Sequence, residues 1–365
     1  MATYQSLGIK PVINACTTMT YLGGSLMPQE VVHAMTQASQ SFIDIHDLHQ
    51  KVGAHLATLT QNEAAYITTG CAAGIVLSLL GLKTKGDQEK IKNLPQDSQA
   101  DEVLVQNTQQ IPYFPAIALA KCKAVFIGTD KEVTEADFLA KISPRTIATL
   151  FVAGDHLNKG GLSLETVIKI CKSKNIRVIV DAAAQLPPVE NLWKFTKDKG
   201  ADLALFSGGK ALMGPQSSGL MVGASDMIDW ARKVGAPNQT LARSMKVGKE
   251  EIMGLATAVE RYLNLDHVAQ WQKWSKNVDY WVDVLNQKEK ITAKRFELNE
   301  AGQPVPRVLV NIQNSAKIQL AEALLNHEPS IAVLANDADS FYISPDLLTD
   351  QEVKIVTNAI IKLFS

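Results

Sequence analysis

A lysine and an aspartate each stand at the end of a strand-like run of the chain, and together they could do chemistry. Lys210 follows the run 202–206 through a Ser-Gly-Gly turn, and Asp181 ends the run 177–180 twenty-nine residues earlier. If the two runs are neighbouring strands, the amine and the carboxylate lie at one edge of a sheet. A lysine amine can form a Schiff base, and a carboxylate can keep a pyridine nitrogen protonated. This pair is what a pyridoxal 5'-phosphate (PLP) site requires.

Neither residue is informative alone, since most lysines are solvated surface charges and an aspartate after a strand often caps a helix. A third element strengthens the interpretation: residues 68–74, Thr-Thr-Gly-Cys-Ala-Ala-Gly, join a strand-like run to an apolar stretch. Small residues at a strand-to-helix turn let backbone N–H groups approach a phosphate, which the helix dipole also favours. Tight helix packing needs the same residues, so the turn is informative only beside the pair. The candidate phosphate-binding residues are Gly70, Cys71, Ala72 and Ser207.

Composition and charge are consistent with a soluble enzyme. The chain has 365 residues, a formal net charge of -1 and a pI near 6.7, which disfavours a nucleic-acid-binding surface. The sequence contains no run of 18 apolar residues, and its first residues lack the features of a secretory signal. The four cysteines show no metal-ligand spacing, which is typical of reduced thiols. We therefore expect a cytoplasmic protein without nucleic-acid, membrane or metal partners.

Strand-like runs alternate with helical patterns between about residues 64 and 223. The predicted strands are residues 64–68, 103–105, 124–127, 148–152, 176–180, 202–206 and 219–222. Near-continuous apolar strands that alternate with helices predict an α/β fold, with a mostly parallel seven-stranded sheet and helices on both faces. Ligands of such sheets bind beyond the carboxyl ends of the strands. Asp181, Ser207, Lys210 and the turn at 70–72 all fall at those ends.

The remainder of the chain predicts a smaller α+β domain. A helix is expected at 248–265, and the stripe of Trp271, Trp274, Val278 and Leu285 on the next helix is interpreted as core. Further strands are predicted at 294–298, 305–312, 331–334 and 341–343, with helices near 318–325 and from 350 onwards. We expect three regions: an N-terminal segment (1–50) contributing to the active site and the small domain, a large PLP-binding domain (51–250) and a small C-terminal α+β domain (251–365).

Four segments of the sequence resemble one known family. Residues 181–188 (Asp-Ala-Ala-Ala-Gln-Leu-Pro-Pro) and 206–219, which contain Phe-Ser-Gly-Gly-Lys, are the more specific ones, and segments 11–25 and 243–251 also fit. They are similar to the selenocysteine-synthase-like family of fold type I PLP enzymes. Within that family the chain is most similar to proteins of the D-glucosaminate-6-phosphate ammonia-lyase type. The resemblance extends from the N-terminus to about residue 265.

The resemblance implies a role for each matching position. Lys210 would carry the Schiff base, Asp181 would pair with the pyridine nitrogen, and Ala183 would pack beneath the ring. Gly70, Cys71, Ala72 and Ser207 would form the phosphate cradle. The substrate-binding candidates are Asn14, Ser25, Arg243, Lys246 and, by analogy with carboxylate-binding arginines of the small domain, Arg307. In fold type I dimers the segment of Arg243 and Lys246 lies near the neighbouring subunit's site, which implies a homo-oligomer, either a dimer or a ring of dimers.

One position departs from the fold type I pattern. Where a histidine or an aromatic side chain usually covers the ring, this chain has a glutamine-rich stretch, and Gln109 is the residue expected there. Either its amide covers the ring or Tyr113 takes that place. His156 is a candidate acid–base group, although histidines in loops usually have no catalytic role. The departure bears on the reaction class more than on the cofactor.

Three functional hypotheses remain open. The first is a PLP-dependent lyase that releases ammonia by α,β-elimination from a β-hydroxy amino acid or an amino sugar acid, phosphorylated ones such as D-glucosaminate 6-phosphate included. The second is a selenocysteine-synthase-like transferase, which the lack of a basic N-terminal extension disfavours. The third is a PLP-fold protein that has lost catalysis, which the Asp181/Lys210 pair disfavours. Aldolase or racemase chemistry would use the same residues, so the sequence does not separate it from elimination.

Overall fold

The computed structural model describes residues 2–154, 156–313 and 319–365. The strands are β1 (Val12–Asn14), β2 (Ala64–Thr68), β3 (Asp101–Gln106), β4 (Cys122–Ile127), β5 (Thr146–Val152), β6 (Arg177–Asp181), β7 (Leu203–Ser207), β8 (Gly219–Gly223), β9 (Ile291–Phe296), β10 (Arg307–Ile312), β11 (Ser330–Ala332), β12 (Leu334–Asp337) and β13 (Ser340–Ile343). The helices are α1 (Gln29–Ser39), α2 (Ile45–Leu59), α3 (Cys71–Thr84), α4 (Gln88–Asn93), α5 (Pro115–Leu119), α6 (Glu135–Ala140), α7 (Leu164–Ser173), α8 (Asn191–Trp193), α9 (Ser225–Val234), α10 (Lys249–Leu263), α11 (His267–Leu285), α12 (Leu320–Leu325) and α13 (Asp350–Phe364).

The chain divides into two compact units. The larger is Met27–Asn264, and the smaller combines Met1–Leu26 with Leu265–Ser365. These boundaries differ from the expected ones near residues 50 and 250. Helices α1 and α10 pack on each other inside the larger unit, where Lys249 Nζ donates a hydrogen bond to the carbonyl of Ala38 at 2.7 Å. Helix α10 therefore belongs to the larger unit, and the N-terminal contribution to the smaller unit is shorter than predicted.

The larger unit is built on one seven-stranded sheet with strand order β2-β8-β7-β6-β5-β3-β4. Strand β8 runs antiparallel to both of its neighbours, and the other pairs are parallel. The predicted α/β fold with a mostly parallel sheet is confirmed. All seven predicted strands are present, with ends that shift by at most two residues. The chain forms this sheet because its strands are apolar on both faces, as covered parallel strands must be.

Helix α3 packs against the sheet directly after β2, and its sequence explains why it is buried. Residues 74–82 are all buried, including Leu77, Leu79 and Leu80. A helix that is apolar on every side must lie within a core. Its first turn consequently has a fixed position at the carboxyl end of β2. This is the position that the sequence predicted for a phosphate-binding turn.

The smaller unit contains two sheets. Strands β1 and β11 form a parallel pair, and the other sheet is antiparallel with strand order β12-β13-β10-β9. The predicted strands and the closing helix are present. The helix predicted near 318–325 begins at Leu320, and residue 318, where it was expected to begin, lies outside the described residues. Within the described parts of the chain, none of the helices combines the length and apolar character needed to cross a membrane.

The tryptophan stripe of α11 is core only in its second half. Val278, Trp281 and Leu285 are fully buried, whereas Trp271 is 38% exposed. The prediction that Trp271 belongs to the core is therefore wrong: its ring lies beneath the guanidinium of Arg295, with Cζ 5.9 Å from the ring centroid. Trp281 lies ten residues further along α11, and its indole N–H donates to the carbonyl of Val353 at 3.3 Å.

The two tryptophans give a matched test of the smaller unit. We expect Trp281→Ala to lower the free energy of unfolding by about 3–5 kcal/mol, because it leaves a large cavity. Trp271→Ala should cost under about 1 kcal/mol, since it loses a half-exposed cation–π contact. Urea unfolding followed by circular dichroism measures both. Equal losses for the two variants would contradict the assigned core.

Candidate active site

The predicted catalytic residues lie at one edge of the sheet in the larger unit. Asp181 is the last residue of β6 and Ser207 the last of the adjacent parallel strand β7. Lys210 follows β7 after two glycines, and Gly70 precedes α3 just beyond β2. Because parallel strands end at the same edge, the chain brings these four residues to the carboxyl side of the sheet. Their roles in a site stay a prediction.

Asp181 is a buried carboxylate with few partners. Only 6% of the residue is exposed. Its Oδ1 accepts hydrogen bonds from the N–H of Ala183 at 3.0 Å and from the thiol of Cys71 at 3.5 Å. Burial raises the pKa of Asp181, and those two donors and the charge of Lys210 oppose the rise. A buried carboxylate in this balance is stabilised as an anion by any cationic N–H group that reaches it.

Cys71 has a larger role than that of a small residue in a turn. It is the first residue of α3, and its Sγ points to the carboxylate of Asp181. Burial, followed by the charge of Asp181, raises the pKa of the Cys71 thiol well above its usual value. The sulfur therefore stays protonated and donates. No local sequence pattern indicates this contact between the turn after β2 and the end of β6.

The first turn of α3 has the properties of an anion site. Gly70 occupies the N-cap with φ +93°, a left-handed conformation that favours glycine, and no side chain caps the helix there. A Cβ at Gly219 would lie 2.6 Å from the carbonyl carbon of Gly70 and 2.8 Å from the nitrogen of Cys71. The start of β8 thus packs directly against the turn. The uncapped N–H groups and the helix dipole favour an anion at this position.

Lys210 projects from a tight turn between β7 and β8. Its carbonyl accepts a hydrogen bond from the N–H of Met213 at 2.8 Å, and the N–H of Gly208 donates to the carbonyl of Ser218 at 2.9 Å. A Cβ at Gly209 would meet the Cα of Gln216 at 2.5 Å. The turn can therefore close only with glycine at this position. Lys210 itself is partly buried, and its charge reaches Asp181.

These residues fit PLP. Asp181 would accept a hydrogen bond from the protonated pyridine nitrogen, and Lys210 would supply the amine that holds the cofactor. The uncapped start of α3, from Gly70 to Ala72, offers N–H groups to the phosphate. Within the described chain the hydroxyl of Ser207 has no hydrogen-bond partner. Ala183 is partly exposed next to Asp181, as a residue beneath the ring must be.

Gln109 does not lie where the sequence placed it. Its side chain is fully buried, so it has no open face against which a ring could stack. The amide Nε2 donates to Asn158 Oδ1 at 2.9 Å, and Oε1 accepts from the N–H of Val152 at 3.0 Å. One end of the amide thus holds the last residue of β5, and the other holds Asn158 in the loop that follows. Tyr113, the alternative, is 51% exposed, and its covering of the ring stays a prediction.

The amides of Gln109, Asn158 and Gln106 form one cluster, and the sequence analysis did not identify Gln106 and Asn158 as members of it. The N–H of Leu162 donates to Gln106 Oε1 at 2.6 Å, and Asn158 Nδ2 donates to the carbonyl of Leu162 at 3.1 Å. These bonds fix the loop between β5 and α7, which carries His156. The His156 ring lies against Gly154, where a Cβ would be 3.0 Å from its Cε1. The available signal was the turn-forming Asn-Lys-Gly-Gly at 158–161.

Three predicted substrate-binding residues belong to the smaller unit. Asn14 uses its amide locally: Nδ2 donates to the carbonyl of Thr17 at 2.9 Å, and Oδ1 accepts from the N–H of Cys16 at 3.0 Å. Ser25 is partly buried. Arg307 is held within the unit, because its Cζ lies 3.9 Å from the ring centroid of Tyr342 and its Nε donates to the carbonyl of Leu298 at 3.0 Å. Their contribution to a substrate site stays a prediction.

Arg243 and Lys246 lie in the larger unit between α9 and α10. The guanidinium of Arg243 is partly buried and Lys246 is exposed. In the parts of the chain that the structure describes, neither side chain has an ion-pair partner. Arg307 differs, since its Nη1 lies 3.6 Å from Glu300 Oε2. Of the predicted anchors, Arg243 and Lys246 thus keep their charges available for an anion.

The fold and the site together define a fold type I PLP-dependent enzyme. The family model "SelA: L-seryl-tRNA selenium transferase" matches residues 12–316. The chain belongs to this family.

Two curated relatives and one solved structure are similar over most of the chain. D-glucosaminate-6-phosphate ammonia lyase of Salmonella typhimurium (strain 14028s / SGSC 2262) is 32% identical over 318 residues, covering 86% of this chain and 82% of the relative. A 5'-C-glycyluridine monooxygenase-decarboxylase of Streptomyces sp is 30% identical over 342 residues, covering 90% and 83%. The solved structure of D-glucosaminate-6-phosphate ammonia-lyase superposes with a TM-score of 0.85 and 28% identity, covering 100% of this chain and 98% of that one.

Two glycines give a matched test of the phosphate turn. In Gly219→Ala the new methyl group meets backbone atoms of Gly70 and Cys71 that cannot yield without moving α3. Such overpacking costs roughly 1–3 kcal/mol, so we expect PLP affinity to fall by about tenfold or more. In Gly74→Ala the methyl group meets the Leu205 side chain at 3.3 Å and Thr68 Oγ1 at 3.5 Å, and no backbone atom, so affinity should change little. Titration of PLP into the cofactor-free variants measures both affinities. Equal affinities would contradict the assignment of the turn before α3 as the phosphate-binding turn.

Proposed function

We propose that this protein is a PLP-dependent ammonia lyase acting on a β-hydroxy amino acid or an amino sugar acid. The observation that carries the proposal is the convergence of Lys210, Asp181 and the uncapped start of α3 at one edge of the sheet. The similarity to D-glucosaminate-6-phosphate ammonia lyase, in sequence and over the full length of its structure, supports the same class of reaction.

Each residue of the site has a part in such a reaction. When bound, PLP supplies a conjugated ring that accepts the electron pair of a broken C–H bond. The carboxylate of Asp181 keeps the ring nitrogen protonated, and the thiol of Cys71 and the N–H of Ala183 hold that carboxylate in place. The N–H groups at Gly70, Cys71 and Ala72, with the hydroxyl of Ser207, bind the phosphate.

Lys210 moves the proton. With PLP bound, the ε-amine of Lys210 would accept the proton from the substrate α-carbon. The β-hydroxyl would then leave as water, carrying the proton that Lys210 accepted. The released 2-enamino acid adds one water and loses ammonia, which leaves a 2-keto acid. The water lost in the first stage equals the water used in the second, so ammonia and the keto acid are the net products.

We further propose an acidic substrate, phosphorylated as D-glucosaminate 6-phosphate is. Its support is that Arg243 and Lys246 carry charges without ion-pair partners among the described residues. A guanidinium holds a phosphate or carboxylate through two hydrogen bonds, so Arg243 is the leading anchor and Lys246 the second. Arg307 ranks third, because Tyr342, Leu298 and Glu300 already engage it.

Assembly and location complete the proposal. We propose a homo-oligomer of at least two subunits, since fold type I sites are built between neighbours and the segment of Arg243 is the one expected to reach across. Cys16, Cys71, Cys122 and Cys171 are free thiols, which supports a cytoplasmic location.

A second candidate reaction comes from the Streptomyces relative, which is nearly as similar as the ammonia lyase. Oxidative decarboxylation of an amino acid would use the same lysine and aspartate. The two candidates differ in what they consume and release. Elimination gives ammonia and a keto acid without oxygen, whereas an oxygen-dependent decarboxylation consumes oxygen and releases carbon dioxide. A screen of amino acids and phosphorylated amino sugar acids under air and under nitrogen separates them.

Substitutions of Lys210 and Asp181 should lower activity to different degrees. We expect Lys210→Ala to abolish ammonia release and to remove the borohydride-sensitive visible band, because it lacks the amine. Asp181→Asn should keep PLP but slow ammonia release by on the order of a hundredfold or more, since a neutral amide holds the ring proton poorly. The matched control is Lys197→Ala, at an exposed lysine. A Lys210→Ala protein that kept the band would contradict the assignment of the lysine.

Arg243 should affect the substrate and not the cofactor. We expect Arg243→Gln to lower kcat/KM for an acidic substrate by roughly 10- to 150-fold, the effect of losing a charge-assisted hydrogen bond, with PLP affinity unchanged. Arg145→Gln, which breaks an ion pair with Glu102 at the opposite edge of the sheet, is the control. If Arg243→Gln lost PLP instead, the arginine would be a cofactor ligand.

Light scattering on the same samples tests the oligomer, and an active monomer would refute it.

A further inference from the structure

A pocket of about 230 Å³ lies between α2 and α9 in the larger unit. His49 lines it from α2, Tyr66 from β2, and Arg232 and Lys233 from the end of α9. Strand β2 is an edge strand of the sheet, and β8 and β7 separate it from the strand that ends in Asp181. The pocket is therefore distinct from the site of Lys210 and Asp181 within this chain.

Two buried polar side chains face the pocket without partners. His49 is 6% exposed and Tyr66 is 2% exposed, and their ring centroids are 4.9 Å apart. Among residues 2–154, 156–313 and 319–365, neither the imidazole nor the phenol hydroxyl has a hydrogen-bond partner. Neither polar group is among the described side-chain atoms that are sealed from solvent without a partner, so both open onto the pocket. A ligand with polar atoms that enters the pocket can therefore form hydrogen bonds with both.

The charges around the pocket decide what that occupant is. Arg232 and Lys233 are both cations, and Asp229 is the one carboxylate that lines the pocket, 3.3 Å from Arg232 and 2.8 Å from Lys233. Burial, followed by the charge of Arg232, lowers the pKa of His49 to about 4, so its imidazole is neutral at pH 7. Burial raises the pKa of Tyr66 to about 12, so its hydroxyl keeps its proton. The lining thus carries an excess of positive charge.

We propose that this pocket binds a small oxyanion, a phosphate ester or a carboxylate. The guanidinium of Arg232, the hydroxyl of Tyr66 and one N–H of His49 donate to its oxygens, and Lys233 adds charge. A cation would face Arg232, and an apolar ligand would leave His49 and Tyr66 unpaired. A volume of about 230 Å³ equals roughly seven or eight waters at about 30 Å³ each. That is enough for a phosphate group with a few carbon atoms.

Calorimetry on the PLP-loaded protein tests the proposal. Inorganic phosphate and glycerol 3-phosphate are titrated separately at constant ionic strength, with chloride as the balancing anion. We expect saturable binding that falls at least tenfold in Arg232→Gln, which removes the charge. Tyr66→Phe removes only the hydroxyl, keeps the ring packing, and should weaken binding by about three- to tenfold. Arg243→Gln, at the proposed substrate anchor, should leave this binding event unchanged.

Three outcomes overturn the proposal. The first is the absence of saturable binding in the parent protein. The second is binding that disappears in Arg243→Gln but survives in Arg232→Gln and Tyr66→Phe, because the anion would then occupy the substrate site. The third is a molar mass in light scattering that is lower for Arg232→Gln and Tyr66→Phe than for the parent protein. In that case a side chain of a second copy fills the pocket. Melting temperatures without phosphate show whether each variant is folded.

Discussion

The burial of one carboxylate at the end of a parallel strand constrains the rest of the active site. Asp181 is 6% exposed, and the low dielectric around it makes its charge expensive unless donors surround it. The first residue of α3 and the backbone two residues after the strand provide two of these donors. The lysine just beyond the next strand adds a positive charge. Elements distant in sequence are thus held together because one buried anion needs all of them.

The sheet and the placement of Asp181 and Lys210 at neighbouring strand ends were predictable because both depend on short-range patterns. Strands buried on both faces are continuously apolar, so each appears in the sequence without knowledge of its neighbours. The position of Asp181 and Lys210 at strand ends follows directly from the ends of those runs. The alternation of strands and helices also limits the connections to parallel ones. For these reasons the fold and the pairing could be predicted together.

The remaining features depend on contacts between distant segments, which local patterns do not specify. Gln109 was expected over the cofactor, but its amide satisfies the backbone of β5 and the side chain of Asn158. The helical stripe of α11 gave the correct face, yet only the packing shows that Trp281 is covered and Trp271 is not. The boundary near residue 264 depends on the pairing of α10 with α1, whose sequences lie more than 200 residues apart. The packing of His49 against Tyr66 on one pocket likewise depends on how α2, β2 and α9 meet.

The antiparallel strand β8 determines how far apart the two ends of the cofactor site stand. Gly219 pairs with Thr68 on one side and with Ser207 on the other. Neighbouring strands are about 4.8 Å apart, so the strand before the phosphate turn and the strand before the lysine are separated by roughly 10 Å. Backbone hydrogen bonds fix this spacing, and side chains have little influence on it. Loops around the site can therefore change their substrate contacts freely, while the separation between the phosphate and the reactive amine is inherited from the sheet.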